Sequence, residues 1–359
     1  EVLGASGFAT AACVTPGRIA RQALPRRGFD AFEIGADDEE TIARALQWMQ
    51  RDLGDGRPFF LWLHLSGPSP SAKASASTEP LPPLGDGPLR FGDPAYRGPA
   101  DGSAQYFARV AKGELAPAPA DVEHAVDLYD ECVAHTLALL GDFLVKCFDY
   151  ESSDAEATEC WSRTLLVVTS PHGLELFDRD TLDGEHSMNR ARASGATIAL
   201  SDALLHVPLV LRHPDSLTGE RVFADPVELA DVMPTVLEWF AIAPPAGMRG
   251  RSLLARTDAA AQAKFETRPA IASIGERLFS ARTERWRLIW SPYESAGPAT
   301  STSARSADHA RLFDHACDRW ERDDVAAEHL DVVRDLEDEI RAWRRSQLAP
   351  APRAAAPSR

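Results

Sequence analysis

No run of about eighteen apolar residues, the length that a membrane-crossing helix needs, occurs anywhere in this 359-residue sequence. Positive charge is scarce as well. The chain has 38 Lys and Arg against 54 Asp and Glu, a formal charge of −16 and an isoelectric point near 5.1. Nucleic acid and anionic membrane surfaces are bound through clustered Lys and Arg, so this balance argues against both and names no other partner. No two of the five cysteines (Cys13, Cys132, Cys147, Cys160 and Cys317) stand at Cys-x-x-Cys spacing, so neither a zinc site nor a redox pair is indicated. Cys132 and Cys147 fall in an expected helix, where Cys acts as a small apolar residue. No internal repeat is found. The chain opens on Glu1 with no signal-peptide pattern after it, as expected of a fragment or of a chain whose targeting segment was removed; the fragment is the preferred expectation.

Apolar residues make up 44% of the chain, enough for a sizeable core, and the length suits one large α/β domain or two smaller ones. Ile42, Leu46, Met49 and Leu53 recur at helical spacing, which predicts an amphipathic helix over 39–53. Phe59-Phe60-Leu61-Trp62-Leu63-His64-Leu65 follows Gly56 and Pro58 and reads as a buried strand. A helix followed closely by a buried strand is the rhythm of a largely parallel sheet. Residues 66–120 are rich in Pro, Gly, Ser and Ala, with Pro82-Pro83 and Pro117-Ala118-Pro119 as breakers, and predict a long loop. From Asp121 the residues Val122, Val126, Tyr129, Val133, Leu137, Leu140, Leu144 and Phe148 hold helical spacing throughout. Residues 164–169 and 207–211 predict two further strands. Residues 225–241 predict a helix that Pro234 should kink or split. Ala281 to Trp290 reads as one strand, and Val333, Leu336, Ile340 and Trp343 mark a closing helix before a tail, 348–359, expected to be disordered.

The order of these pieces carries a family resemblance. Gly7-Phe8-Ala9-Thr10-Ala11, then Arg27-Gly28-Phe29-Asp30, then Pro58 to His64 resemble the middle section of sulfatases, where a "GY-x-TA" strand start and a "GFD" turn precede a "PFFL-x-x-H" strand. Thr164 to Gly173 (TLLVVTSPHG) is similar to the family's "TLVVFTSDHG", and Gly184-Glu185-His186 to the "GEHG" that follows. Leu205-His206-Val207-Pro208-Leu209 resembles "LRVPLI", and Asp231 to Leu237 resembles "DLAPTLL". Residues 282–289 and Leu312-Phe313-Asp314 resemble the "VRT-x-x-YKLI" and "LYDL" of the C-terminal subdomain. Eight weak matches in the right order across nearly the whole chain point to shared descent. The resemblance implies an α/β fold of the alkaline-phosphatase and sulfatase type, a mixed sheet between helices, incomplete at its N-terminus. It implies a core over 1–255 and a small C-terminal α+β subdomain over 256–347.

Sulfatases, as the resemblance implies, hydrolyse sulfate esters with a divalent cation, usually Ca²⁺, and a hydrated formylglycine made from Cys or Ser in a "C/S-x-P-x-R" motif. A sulfate dianion must be neutralised by the metal and by Lys, Arg or His, and hard oxygen ligands suit Ca²⁺. The family's nucleophile and two of its metal carboxylates precede the "GY-x-TA" unit, at which this chain begins. Cys13-Val14-Thr15-Pro16-Gly17-Arg18 has one residue too many between Cys and Pro and lies after that unit, so it is rejected as the nucleophile. In the "DHG" place, Pro171 stands where the family has the ligand Asp, and His172 follows as the candidate metal ligand; His172 alone is a poor Ca²⁺ site. In the family's "H-x-x-x-PH-x-PY" stretch, His64 is kept and Ser69 replaces the second His. A Ser hydroxyl cannot protonate a leaving alkoxide near neutral pH as imidazole does. After "GEHG" the family has a Lys or His on the sulfate; here Arg190 and Arg192 are the candidates, and Arg binds sulfate well through its fork.

These departures predict a sulfatase-family chain that is catalytically degenerate. Two alternatives stay open: an active metal-dependent sulfate or phosphate ester hydrolase whose N-terminal section brings the nucleophile, and a non-catalytic interaction module using 66–120. By resemblance the compartment is periplasmic or extracellular. The sequence fixes neither substrate nor oligomeric state.

Overall fold

A computed structural model describes residues 1–15, 28–52, 56–67, 90–111, 113–148, 160–174, 176, 200–213, 221–256, 267–292 and 310–348. Their contacts group into two compact units, one holding the described residues up to Thr164 and the other those from Leu165 onward.

In the first unit a short helix, α1 (Val2–Ala5), leads into β1 (Ala9–Val14), followed by β2 (Ala31–Ile34), helix α2 (Asp38–Asp52) and β3 (Phe59–His64). The strands form a parallel sheet in the order β2-β1-β3, with Ala11 opposite Ala31 on one side and opposite Leu61 on the other. As the central strand, β1 is buried along its whole length, which is why, Thr10 apart, it reads as small apolar residues without polar alternation. Ala9, Ala11 and Cys13 share a core with Ile42, Ala45, Trp48 and Met49 of α2. The opposite ends of α2 suit its dipole: Asp38, Glu39 and Glu40 lie in the first turn and Arg51 in the last.

The stretch expected to be a long loop contains a helix, α3 (Ala104–Ala111). Tyr106 and Val110, one turn apart, are both buried. Local Pro and Gly residues around it masked so short a period. The segment before it is tied to the next helix, α4 (Pro119–Phe148). The Tyr96 ring stacks on His124 at 3.8 Å, and its hydroxyl donates to Asp121 Oδ1 at 2.6 Å. Pro119 opens α4, where its missing N–H costs nothing. The C-terminal half of α4 brings Phe143 and Phe148 onto the β1 core.

In the second unit β4 (Leu166–Thr169) pairs antiparallel with β5 (Leu209–Arg212), Val167 opposite Leu211, and a single helical turn, α5 (Asp202–Leu205), precedes β5. The helix expected over 225–241 is a 3₁₀ turn, Leu229–Asp231, continuing into α6 (Val232–Trp239). Pro234 causes no kink there. It is the third residue of α6, within the first turn, where no intrahelical acceptor is lost.

Four strands, β6 (Ala270–Ile274), β7 (Leu278–Arg282), β8 (Trp286–Trp290) and β9 (Ala310–Asp314), then form an antiparallel meander. The single strand expected from Ala281 to Trp290 is therefore a hairpin, with Ala281 opposite Leu288. The closing helix is α7 (Leu330–Leu348), and 349–359 lie outside the described residues. Phe279, Leu288 and Leu312 face α7 and pack with Val333, Leu336 and Ile340. The other face carries Leu278, Ile289 and Phe313 against Leu200. Both faces of this small sheet are thus covered, and Arg287, two residues before Ile289, points to the face that meets Leu200.

Candidate functional site

From β1 the chain moves to β2 on one side, and α2 brings it back to β3 on the other. In open parallel sheets such a reversal of strand order opens a crevice at the carboxyl ends of the two strands, here β1 and β3. His64 is the last residue of β3, opposite Val14, and its carbonyl accepts the Thr15 N–H at 2.9 Å. Its ring meets Trp62 edge-on at 6.3 Å. The strand that ends at His64 is held by Asp38, a residue that sequence reasoning passed over. Its carboxylate accepts from Thr15 Oγ1 at 2.5 Å, Ser66 N at 2.8 Å, Ser66 Oγ at 3.1 Å and Gly67 N at 2.9 Å. One acidic side chain at the start of α2 therefore fastens the exits of both β1 and β3. Ser69 lies outside the described residues.

Cys13 faces the core from the middle of the sheet at 0% exposure. Burial, with the Glu33 charge in support and Arg44 opposing, pushes its thiol up to about 11. A neutral, enclosed thiol is no nucleophile, in keeping with its rejection on spacing.

At the exit of β4, Pro171 and His172 are exposed. Ser170 Oγ donates to the His172 carbonyl at 2.7 Å, and His172 Nδ1 lies 2.9 Å from the Gly173 carbonyl oxygen. Gly173 N–H donates to Leu204 O at 2.8 Å. Its α-carbon is pressed so close to the Ala203 carbonyl that a side chain would collide with backbone, which explains a glycine here. Arg190 and Arg192 lie outside the described residues.

A dense charge cluster among the described residues of the second unit is announced by none of the sequence motifs. Asp202, His315 and Glu321 bring ligand-type atoms within 4.8 Å of one another. Arg287 sits among them. Its guanidinium pairs with Asp202, lies with Nε 2.7 Å from Glu321 Oε1, and donates to Ser280 Oγ at 2.9 Å. His315 Nε2 is 3.1 Å from Glu321 Oε1, and Arg282 Nε is 3.4 Å from Asp202 Oδ1. His206 Nδ1 lies 3.1 Å from Asp202 Oδ2. Burial pushes the Asp202 carboxyl upward. The His206 hydrogen bond and the Arg287 charge outweigh that and hold it well below the usual carboxylate range. The same hydrogen bond raises the His206 pKa. The one clue in the sequence was the four-residue spacing of Asp202 and His206, which puts them on one side of a helical turn.

A hard divalent cation fits neither the β4 exit nor the Asp202–His315–Glu321 cluster. Ca²⁺ takes six to eight oxygen ligands. Proline at 171 offers no side-chain donor atom, and His172 beside it offers nitrogen. In the Asp202–His315–Glu321 cluster two guanidinium groups already compensate the two carboxylates, so a cation there would meet fixed positive charge.

A sequence model of the sulfatase family matches residues 19–242, more than half of the chain. Among characterised proteins, the chain is 28% identical over 241 residues to the multifunctional alkaline phosphatase superfamily protein PehA of Trinickia caryophylli, covering 61% of this chain and 41% of that protein. It is 24% identical over 330 residues to arylsulfatase K of Mus musculus, covering 85% of this chain and 53% of that protein. The chain thus spans about half the length of the curated relatives it matches. Among solved structures, BT4656 in complex with its substrate D-glucosamine-2-N,6-O-disulfate superposes with a TM-score of 0.59 at 15% identity, over 96% of this chain and 81% of that one. The fold is therefore the mixed α/β architecture of sulfatases and alkaline phosphatases, as the order of motifs implied. No helix among the described residues is long and apolar enough to cross a membrane. The chain belongs to the sulfatase family.

Proposed function

We propose that this chain is a sulfatase-family protein impaired in ester hydrolysis, whose fold is retained to bind a sulfate or phosphate ester. The observation that carries the reading is Pro171 at the exposed exit of β4, in the place of the family's ligand carboxylate. Ser69, read from the sequence alone, removes the acid/base imidazole as well. Each group that stabilises charge developing in such a reaction is worth roughly 10²–10³-fold in rate, so two losses leave little turnover. His64 at the crevice, with Arg190 and Arg192, are the residues assigned to the anion, and His172 is the remaining nitrogen donor beside Pro171. The names of the relatives support the ligand class: one is an arylsulfatase, and one solved neighbour holds a disulfated glucosamine. An extracellular or periplasmic setting belongs to the same reading.

The test is hydrolysis of an aryl sulfate and an aryl phosphate by the full-length protein, with Ca²⁺, Mg²⁺ or Mn²⁺ added in turn and then chelated. The expected result is no turnover above the buffer rate, with or without metal. Turnover that disappears on chelation would overturn the proposal.

A further inference from the structure

Cys147 and Cys160 stand at the two ends of a twelve-residue stretch of sequence, and both pack on the core that α2 and α4 share. We propose that they are a dithiol pair that closes to a disulfide in an oxidising compartment, tying the end of α4 to the helical turn at 160–162.

The residues that follow the two cysteines are in contact. The Phe148 and Trp161 rings pack at 4.9 Å, which holds the chain at each cysteine beside the other. The thiols themselves interact, since Cys160 adds to the effect of burial on the Cys147 thiol. In the reduced state Cys147 Sγ lies against Met49 Sδ at 3.3 Å, and closing the bond turns it from that thioether to Cys160 by rotation about χ1. The turn that carries Cys160 is fixed: its carbonyl accepts the Thr164 hydroxyl at 2.8 Å and the Arg163 N–H at 3.2 Å. The other cysteines are poorer partners. Cys13 is closed to an oxidant at 0% exposure, and Cys317 belongs to the second unit. Cys132 precedes Cys147 on the same helix by fifteen residues, about 22 Å along its axis.

The oxidant is a low-molecular-weight disulfide such as oxidised glutathione. Cys160, partly exposed, gives up its proton and attacks one sulfur of that disulfide. One external thiol leaves, and Cys160 carries the other half. Cys147 then gives up its proton and displaces that half. Two protein thiols thus become one disulfide while one external disulfide becomes two thiols. Burial of Cys147 slows the second step, but the short loop keeps its partner at hand. The bond removes loop-closure entropy from the unfolded chain and so stabilises the fold. Oxidising compartments allow it and a reducing cytosol opposes it, so the pairing is independent of the ester-binding reading.

For the test, full-length protein is reduced, freed of reductant, incubated with oxidised glutathione at about pH 8 and then alkylated under denaturing conditions. Trypsin cuts after Lys146 and after Arg163 and nowhere between, so both cysteines fall in one peptide, 147–163. The expected result is that this peptide escapes alkylation and is lighter by two hydrogen atoms, while Cys13 and Cys132 take up the reagent. The oxidised protein should unfold at a higher temperature than the reduced protein, and dithiothreitol should abolish the difference. In Cys147→Ser, oxidation should stop at Cys160 with one glutathione attached, and the rise in unfolding temperature should be lost. A parent peptide 147–163 alkylated at both cysteines, or one that stops at bound glutathione, would overturn the pairing.

Discussion

Arg287 Nε lies 2.7 Å from Glu321 Oε1, and both side chains are almost wholly withdrawn from water, at 3% and 2% exposure. The same guanidinium pairs with Asp202, and Glu321 accepts the Asp202 N–H at 3.2 Å, so the contact joins the turn before β5 to the small sheet. Two desolvated ions attract strongly, but their removal from water cancels much of the gain. Losing one partner is worse than losing both, because it strands a buried charge.

Arg287→Met should accordingly lower the unfolding free energy by about 3–5 kcal/mol. Replacing Glu321 by Met in the same chain should recover part of that loss. Urea denaturation of the parent, the two single variants and the double variant measures the coupling. A cycle in which the single losses simply add would show that the pair is not coupled.

Asp38 makes a similar argument with hydrogen bonds. Four donors from Thr15, Ser66 and Gly67 converge on it. A hydrogen bond to a charged acceptor contributes about 1.5–3 kcal/mol net, and bonds that share one acceptor do not add in full. Asp38→Ala should cost about 2–4 kcal/mol, and Asp38→Asn less, since the amide keeps one acceptor oxygen. Faster amide exchange at Ser66 and Gly67 in the alanine variant would show that the loss falls at the β3 exit beside His64.

These two residues also show what was legible in the sequence. Strong periodicity revealed α2, α4 and β3, and the order of short motifs revealed the family. The β7–β8 hairpin looks like one strand in the sequence because its turn, Thr283-Glu284-Arg285, contains no Gly, Pro, Asn or Asp. It closes instead through the Thr283 side chain, whose Oγ1 accepts the Trp286 N–H at 2.9 Å. The acidic start of α2 looked like ordinary dipole compensation, and only the parallel register shows Asp38 reaching two strand ends. Nothing in the chain signals that Asp202 and Glu321, 119 positions apart, will meet. A family pattern named the places of His64 and Pro171, which lie at the exits of β3 and β4.

Thiol chemistry offers a check that needs no substitution. Burial pushes the Cys147 thiol up to about 12, with Cys160 adding to it, and Cys13 up to about 11. The thiolate is the reactive form, so both should be inert near neutral pH, whereas Cys317 is exposed. Brief alkylation of the native protein followed by peptide mass mapping should label Cys317 before Cys13 and Cys147. Early labelling of Cys13 would contradict the enclosed β1 strand.

Acid stability should depend on Asp314. Arg285 donates to both of its oxygens, Nε at 3.0 Å and Nη2 at 2.6 Å, and that pairing holds the Asp314 carboxyl below its ordinary value against the opposing effect of burial. A carboxylate with a lowered folded-state pKa stabilises the fold above its unfolded pKa of about 3.9 and loses that contribution as pH falls through the folded value. The sign is fixed: below the unfolded pKa the unfolded chain takes up the proton first, and folding weakens. Asp314→Asn removes this titration but keeps one acceptor for the Ala316 N–H, which the native side chain receives at 3.1 Å. The stability gap between parent and variant should therefore be constant from neutral pH down to about 4 and shrink below it. Urea denaturation across that range measures the gap. A gap that holds steady at the lowest pH would show that the Arg285 pairing contributes nothing through the Asp314 charge.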